Sequence, residues 1–347
     1  MIKIGHKYIG SNQPCFIAAE IGINHNGDMN LAVKTMDAAI EAGADAIKFQ
    51  NYYTEDFVLN KNLTYSYKSQ GKNITETQYE MFKRYELSFE NLKMLKEYCD
   101  KRGVIFFSTP TGKRGIDDLV RINCPLLKNG SDLLVNTDII MEMAKTSIPT
   151  IISTGMATVA EIDDAVRAFE EANGKELIIL HCVSSYPTPP DQVNLNKITS
   201  LKNAFGYPVG FSDHTDGIVA AIGSVVLGSC FIEKHFTLDK NLPGPDHHFS
   251  CDKKELEQLV DAIRIIEKNM GVFKIGPTKV EERGRKDFRL SCVAVADFSV
   301  GHKLKLTDIT FSRPSGGLAP KLSSLLINKE LKRYVKAGEW ITIEDII

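Results

Sequence analysis

From residue 14 to residue 271 the chain alternates between short apolar runs and longer stretches that are apolar on one face. The runs occupy residues 16–23, 46–50, 104–109, 126–129, 150–154, 177–183, 209–212 and 230–235. Their lengths suit strands buried on both sides. Residues 29–42, 89–101, 159–172 and 254–270 instead read as helices. In the last of these, Leu256, Leu259, Val260, Ile263 and Ile266 fall near a 3.6-residue spacing. Asp28 and Ser88 are suited to cap helix starts, and Gly43, Gly103 and Gly174 to end helices. Strand–helix alternation implies parallel pairing with right-handed crossovers. Eight repeats predict a closed (β/α)8 TIM barrel, with a doubly wound open sheet as the alternative.

The polar residues favour the barrel. Nearly every apolar run ends in them: Glu20 and Asn24; Lys48 and Gln50; Ser108 and Thr109; Lys128 and Ser131; Ser153; His181, Ser184 and Tyr186; Ser212, Asp213 and His214; Glu233 and His235. Barrel strands bring their C-terminal ends to one mouth, whereas an open sheet spreads them along an edge. Two long connections, 51–87 and 238–250, fall at that mouth and read as lids or binding loops. The pattern changes after Gly271. The expected division is a barrel over 1–276, a polar linker over 277–286 and a small β-rich domain over 287–347. That domain is near the lower size limit for independent folding, so it is expected to lean on the barrel or on a partner chain.

A length of 347 residues fits one large domain and a small one. The hydrophobic fraction of 43% and charged fraction of 25% are those of an ordinary globular protein. A net charge of −2 argues against a nucleic-acid partner. No apolar stretch is long enough to span a bilayer, and the basic start is not followed by an apolar signal core. Seven scattered cysteines, an odd number, fit reduced thiols in the cytoplasm better than a disulfide framework.

Two segments carry the candidate chemistry: Phe211-Ser212-Asp213-His214-Thr215 and Glu233-Lys234-His235-Phe236-Thr237. A single histidine is ordinarily a satisfied structural residue. Two at neighbouring strand ends can hold one divalent ion with open positions for substrate. Imidazole with oxygen ligands suits Mn²⁺ or a similar ion better than Mg²⁺. Lys48 and Lys128 each end a buried strand, where an unpaired ammonium is strongly unfavourable. At ~4 Å and an effective dielectric of ~20, one negative charge is worth roughly 4 kcal/mol to each. With Thr109, Ser131, Ser153 and Ser212 as hydroxyl donors, they suggest a small anion such as a phosphate ester bearing a carboxylate. The alternative is pairing with Glu20, Asp132, Asp213 or Glu233, which could hold for the empty site. Asp246 stands in a rigid Pro243-Gly244-Pro245-Asp246 turn that can aim a carboxylate at a sugar hydroxyl. His247 and His248 read as solvated. Cys182 reads as packing, because it cannot form a dyad with its neighbour His181. No glycine-rich nucleotide loop, CxxC pair or HExxH motif is present.

These motifs occur in the order found in a known family. Ala19 to Gly27, Lys48-Phe49-Gln50, Phe107 to Pro110, Ser153 to Met156, His181-Cys182 with Tyr186 to Pro189, Ser212 to Thr215, and Glu233 to Phe236 with Pro243 to Asp246 resemble the sialic acid synthase family. The likeness covers almost the whole chain, and residues around Phe311 to Pro314 and Gly317-Leu318 resemble that family's C-terminal antifreeze-like (SAF, β-clip) domain. The resemblance implies an N-acetylneuraminate or legionaminate synthase-like transferase. Such an enzyme condenses phosphoenolpyruvate with an N-acetylated amino-sugar aldehyde and releases phosphate by C–O cleavage. N-acetylmannosamine gives N-acetylneuraminate; a diacetamido-trideoxyhexose gives legionaminate, or less readily pseudaminate.

The resemblance also implies roles. His214 and His235 would hold a divalent metal, Mn²⁺ first, with Mg²⁺ or Co²⁺ as alternatives. Lys48, Thr109, Lys128, Ser131, Ser153, Ser184 and Ser212 would bind phosphoenolpyruvate. Glu20, Gln50, Tyr186 and Asp246 would bind the sugar. Arg313 would reach from the SAF domain into a partner's barrel, in a domain-swapped homodimer. Glu20, Lys48, Asp132, His214 and His235 form the implied catalytic set. The pattern departs at Asp132-Leu133, where the family has Gly then Glu or Asp after Ser131. Either Asp132 takes the acid–base role or the role lies elsewhere. Two other readings stand beside the synthase: a carbohydrate-binding barrel that lost catalysis at Leu133, and a metal-dependent aldolase using pyruvate.

Overall fold

A computed structural model describes residues 1–347. Two compact units are present, Met1–Gly271 and Val272–Ile347. In the first, strands β1 (Ile2–Ile4) and β2 (Lys7–Ile9) form a short antiparallel hairpin. The next strands are β3 (Phe16–Gly22), β4 (Ala46–Asn51), β5 (Thr64–Ser69), β6 (Lys72–Thr77), β7 (Ile105–Pro110) and β8 (Leu127–Asn129). They are followed by β9 (Thr150–Ser153), β10 (Leu177–Cys182), β11 (Val209–Asp213) and β12 (Phe231–His235). All but the two hairpins close into a parallel barrel in the order β3-β4-β7-β8-β9-β10-β11-β12. The seam pairs Phe231 with Phe16 and His235 with Glu20.

The eight apolar runs are the eight barrel strands, and the open-sheet alternative falls. Every residue of β3, β8 through β12 is buried, as expected of strands covered on both faces. Within the core, the Phe16 and Phe231 rings stack at 5.2 Å and Phe107 meets Phe231 edge-on. Burying each such side chain stabilises the fold by about 2–3 kcal/mol. Helices Met29–Glu41 and Phe89–Arg102 start at Asp28 and Ser88, whose side chains accept backbone N–H bonds. Gly103 ends the second in a left-handed cap, with φ of 68°.

Residues 51–87 are not an irregular loop. They form helix Thr54–Phe57, the β5–β6 hairpin and helix Gln78–Tyr85. Gln70 and Gly71 both have positive φ, 52° and 74°, which is the two-residue turn that matches strand twist.

The second unit has its own core around Cys292, Phe298, Leu304, Leu326, Leu331, Val335 and Ile341. It is less strand-rich than the sequence suggests. Only β13 (Ser291–Ala294) and β14 (Ile309–Ser312) pair, with isolated bridges and 3-10 turns completing it. The stretch read as a linker contains a helix, Glu282–Asp287. No helix is long and apolar enough to cross a membrane, and all seven cysteines are free and buried.

Candidate active site

The C-terminal ends of the barrel strands enclose a cavity of about 930 Å³. It is lined by Glu20, Lys48, Gln50, Thr109, Lys128, Ser131, Asp132, Ser153, Ser184, Tyr186, Ser212, His214, His235 and Asp246. Those are all the residues to which the family resemblance gave a role except Arg313, which belongs to the second unit; Asn24, Ser108, His181 and Asp213, also noted at strand ends, do not line it. Strand alternation produces the convergence. Ser212 and His214 face in while Asp213 faces away; Glu233 and His235 face in while Lys234 faces away.

Both lysines are paired with carboxylates, the alternative that the sequence left open. Lys48 Nζ lies 2.6 Å from Glu20 Oε2 and 3.8 Å from Glu233 Oε1. Lys128 Nζ donates to Glu233 Oε1 at 3.1 Å, and Ser212 Oγ donates to the same oxygen at 3.1 Å. All four charged groups are nearly inaccessible to solvent. Burial raises the Glu20 carboxyl, and Glu233 adds to this although Lys48 opposes it. Burial also acts upward on Glu233, but the two lysines outweigh it and hold that carboxyl low. Burial lowers Lys48, yet Glu20 and Glu233 outweigh it and the ammonium is held above its usual range. Two carboxylates thus share the cations, and Glu233 is the more readily ionised. An incoming dianion would compete with Glu233 for both ammonium groups.

Beside the lysines, the hydroxyls of Thr109 and Ser153 are buried without a hydrogen-bond partner. A buried polar group left unpaired is unfavourable unless a ligand completes it. Ser131 Oγ accepts from the Gly155 N–H at 3.0 Å. A Cβ at Gly155 would collide with the Ser184 hydroxyl and come within 2.7 Å of Ser131 Oγ. Lysines and free hydroxyls therefore surround a space kept open by a glycine, which can take an anion.

The two histidine rings stand 5.5 Å apart, centre to centre. His214 Nδ1 faces the Val183 carbonyl at 2.8 Å, so this nitrogen carries the proton and Nε2 is left for a ligand. His235 Nδ1 is buried without a hydrogen bond, with Asp246 Oδ2 at 3.7 Å. Burial and the nearby cations hold His235 well below its usual range, so its ring is neutral. Burial lowers His214, but the Cys182 sulfur 3.8 Å from Nδ1 pulls it upward overall. No third His, Cys, Asp or Glu completes a closed cluster. The residues fit a divalent ion on two imidazoles with remaining positions open to oxygen ligands.

Elsewhere in the cavity, Gln50 Nε2 donates to Glu20 Oε1 at 3.0 Å, and the Tyr186 ring lies 4.2 Å from that of His214. Burial, reinforced by Glu20, pushes the Asp246 carboxyl up to about 7. Asp132 is exposed and forms part of the cavity wall at its rim. The β5–β6 hairpin adds Tyr65, Lys68 and Asn73 to the wall. Its Ser69 Oγ accepts from Gly244 N at 3.0 Å and so ties it to the Asp246 loop.

Two expectations are corrected. Cys182 lines the cavity, and its neighbour His181 faces outward, bonded to the Val193 carbonyl at 2.7 Å. Strand β10 is buried throughout, so no polar alternation marks which residue faces in. His247 is 1% exposed rather than solvated. Thr237 Oγ1 at 2.7 Å and Asn26 Oδ1 at 3.2 Å satisfy both of its nitrogens. Glu233, noted in sequence as a strand-end residue and as one possible partner of the lysines, is the hub joining both lysines and Ser212.

An eight-stranded barrel with charged groups and two imidazoles gathered at its C-terminal strand ends has the arrangement of a (β/α)8 enzyme. Comparison makes this specific. The chain belongs to the NeuB family, matched over residues 35–274, and carries a SAF domain over 291–347. This is the family of sialic-acid-type synthases. An uncharacterized protein of Methanocaldococcus jannaschii is 42% identical, across 100% of this chain and 98% of its own length. The N,N'-diacetyllegionaminic acid synthase of Legionella pneumophila is 38% identical, across 99% of this chain and 97% of its own. In structure, N-acetylneuraminic acid (sialic acid) synthetase from Leptospira borgpetersenii, solved in complex with citrate, superposes with a TM-score of 0.74. It is 36% identical and the match covers 82% of this chain and 94% of that one.

Proposed function

We propose that this protein condenses phosphoenolpyruvate with an N-acetylated amino-sugar aldehyde and releases inorganic phosphate by C–O cleavage. The observation that carries this reading is one cavity holding two adjacent imidazoles beside two lysines and unpartnered hydroxyls. His214 and His235 are the groups that would hold a divalent ion, Mn²⁺ first, which when bound supplies Lewis-acid polarisation of the aldehyde. Lys48 and Lys128 bind the phosphate and carboxylate of phosphoenolpyruvate, with Thr109, Ser131, Ser153, Ser184 and Ser212 as hydroxyl partners. Carbon 3 attacks the aldehyde carbon. Glu20, whose carboxyl is raised by burial, gives the aldehyde oxygen its proton, with Lys48 2.6 Å away to hold the carboxylate that forms. Water adds to carbon 2, and Asp132 at the rim takes the proton that the water loses. The hydroxyl on carbon 2 then passes its proton to the departing phosphate as the bond between carbon 2 and the phosphate oxygen breaks, which leaves the ketone.

The acceptor is bound by Glu20, Gln50, Tyr186 and Asp246. Ile23, Tyr52, Phe57, Met81 and Phe82 form an apolar wall to the same cavity. That wall suits a deoxy sugar, whose methyl group replaces a hydroxyl, and so a diacetamido-trideoxyhexose leading to legionaminate. The legionaminic acid synthase relative supports this choice. N-acetylmannosamine, giving N-acetylneuraminate, is the second reading, favoured by the polar Asn73 and Gln78 on the cavity wall. A cytoplasmic location is consistent with seven free thiols.

A homodimer is part of the proposal. Arg313 is exposed, stacked 5.3 Å over the Phe288 ring, and forms no ion pair. It is available to reach a partner's cavity. The test of the whole reading is phosphate release from phosphoenolpyruvate with Mn²⁺ and a panel of N-acetylated hexoses. Release with one acceptor and none without supports it. No release with any acceptor sinks it, and pyruvate consumption without phosphate release would favour the aldolase.

A further inference from the structure

Asp213 and Lys234 are register partners on β11 and β12, one residue before His214 and His235. Neither lines the cavity; both side chains lie behind its wall, with relative accessibilities of 0% and 2%. Lys234 Nζ donates to Asp213 Oδ2 at 2.8 Å and to the Thr215 carbonyl at 2.7 Å. The second carboxylate oxygen, Oδ1, accepts from Thr215 N at 2.9 Å and Thr215 Oγ1 at 2.8 Å. The residues before and after His214 are therefore both tied to the residue before His235.

A buried ion pair of this kind is a poor source of stability, since apolar residues of similar volume would serve as well. It touches no space that a substrate could enter. What it does fix is backbone geometry: the strand β11 exit cannot slide along β12 without breaking bonds at Thr215 or at Asp213. We infer that the Asp213–Lys234 pair positions His214 and His235 at the separation one divalent ion requires. The two residues are positioning residues, and the inference rests on the two-histidine reading above. Groups that orient metal ligands from outside typically change metal affinity by about 10–100-fold.

The test is Mn²⁺ titration of the full-length protein, followed by the electron paramagnetic resonance signal of the free ion, with thermal unfolding in parallel. Wild type, His214→Ala, Lys234→Met and the double variant Asp213→Leu/Lys234→Met are compared. The apolar double variant should unfold within a few degrees of wild type yet bind Mn²⁺ about 10–100-fold more weakly. If the double variant does not fold, Asp213→Asn is read instead. It keeps an acceptor for Thr215, removes the charge, and should also bind Mn²⁺ more weakly than wild type. Wild-type binding that is lost in His214→Ala but unchanged in the folded pair variant overturns the positioning inference alone. Absence of Mn²⁺ binding by wild type at millimolar concentration overturns the two-histidine reading, and the positioning inference with it.

Discussion

At the scale of single residues, the cavity depends on groups held in unusual electrostatic and steric settings. Gly155 is one. Its N–H meets Ser131 Oγ, and a Cβ there would displace both Ser131 and Ser184. Gly155→Ala should raise the KM for phosphoenolpyruvate about tenfold or more, the equivalent of one or two lost hydrogen bonds, with a smaller effect on the sugar KM. Steady-state kinetics with each substrate varied in turn would check this; equal effects on both would contradict it. A second residue-scale prediction concerns acid. Burial lowers His25 to about 4, with His247 adding to the effect, and burial lowers His247 to about 4 as well. Unfolded histidine titrates near 6.5, so between about 6.5 and 4 the unfolded chain binds more protons. Stability should therefore fall as pH drops through that window, by up to about 3 kcal/mol for His25. Denaturant unfolding at several pH values would measure it, and His25→Gln should flatten the slope. Sequence made the imidazoles at 214 and 235 legible because each follows a buried run directly. It did not make Cys182 legible, because a strand buried on both faces has no polar alternation to set its phase.

At the scale of elements, the barrel was readable from run length and from polar strand ends, and the hairpin over its mouth was not. Strands β5 and β6 are mostly exposed and polar, so no apolar alternation announces them. Their turn is Gln70-Gly71, a weaker signal than Asn-Gly or Asp-Gly. The hairpin buries little and therefore adds little to barrel stability, but Tyr65, Lys68 and Asn73 line the cavity. Replacing residues 64–77 with a short glycine–serine linker should leave the melting temperature within a few degrees of wild type. The KM for the sugar should rise at least about tenfold, a loss on the order of one hot-spot contact, while the KM for phosphoenolpyruvate changes less. A collapse of the melting temperature would contradict this and assign the hairpin a structural role.

At the scale of the whole molecule, the second unit was recognisable by the change in pattern after Gly271, but its internal structure was not. Its core is built from residues in short bridges and 3-10 turns, which have no periodicity to read. The proposed homodimer makes a prediction that a single chain cannot mimic. If Arg313 serves the partner's cavity, Arg313→Ala and His214→Ala proteins should each be nearly inactive. Co-refolding them should restore activity, because each mixed dimer keeps one complete site. Activity that stays at the level of the separate variants, with mixed dimers demonstrated by mass, would contradict a role in trans.

The central claim is that this cavity joins phosphoenolpyruvate to an amino-sugar aldehyde with the two histidines as its metal-ligating pair. Its most direct measurement is mass spectrometry of the products from phosphoenolpyruvate labelled with ¹⁸O at the bridging oxygen, with Mn²⁺ and the diacetamido-trideoxyhexose. The account predicts a nonulosonic acid three carbons longer than the acceptor, phosphate that retains the ¹⁸O, and loss of both in His214→Ala. Unlabelled phosphate, or full turnover by His214→Ala, would contradict it.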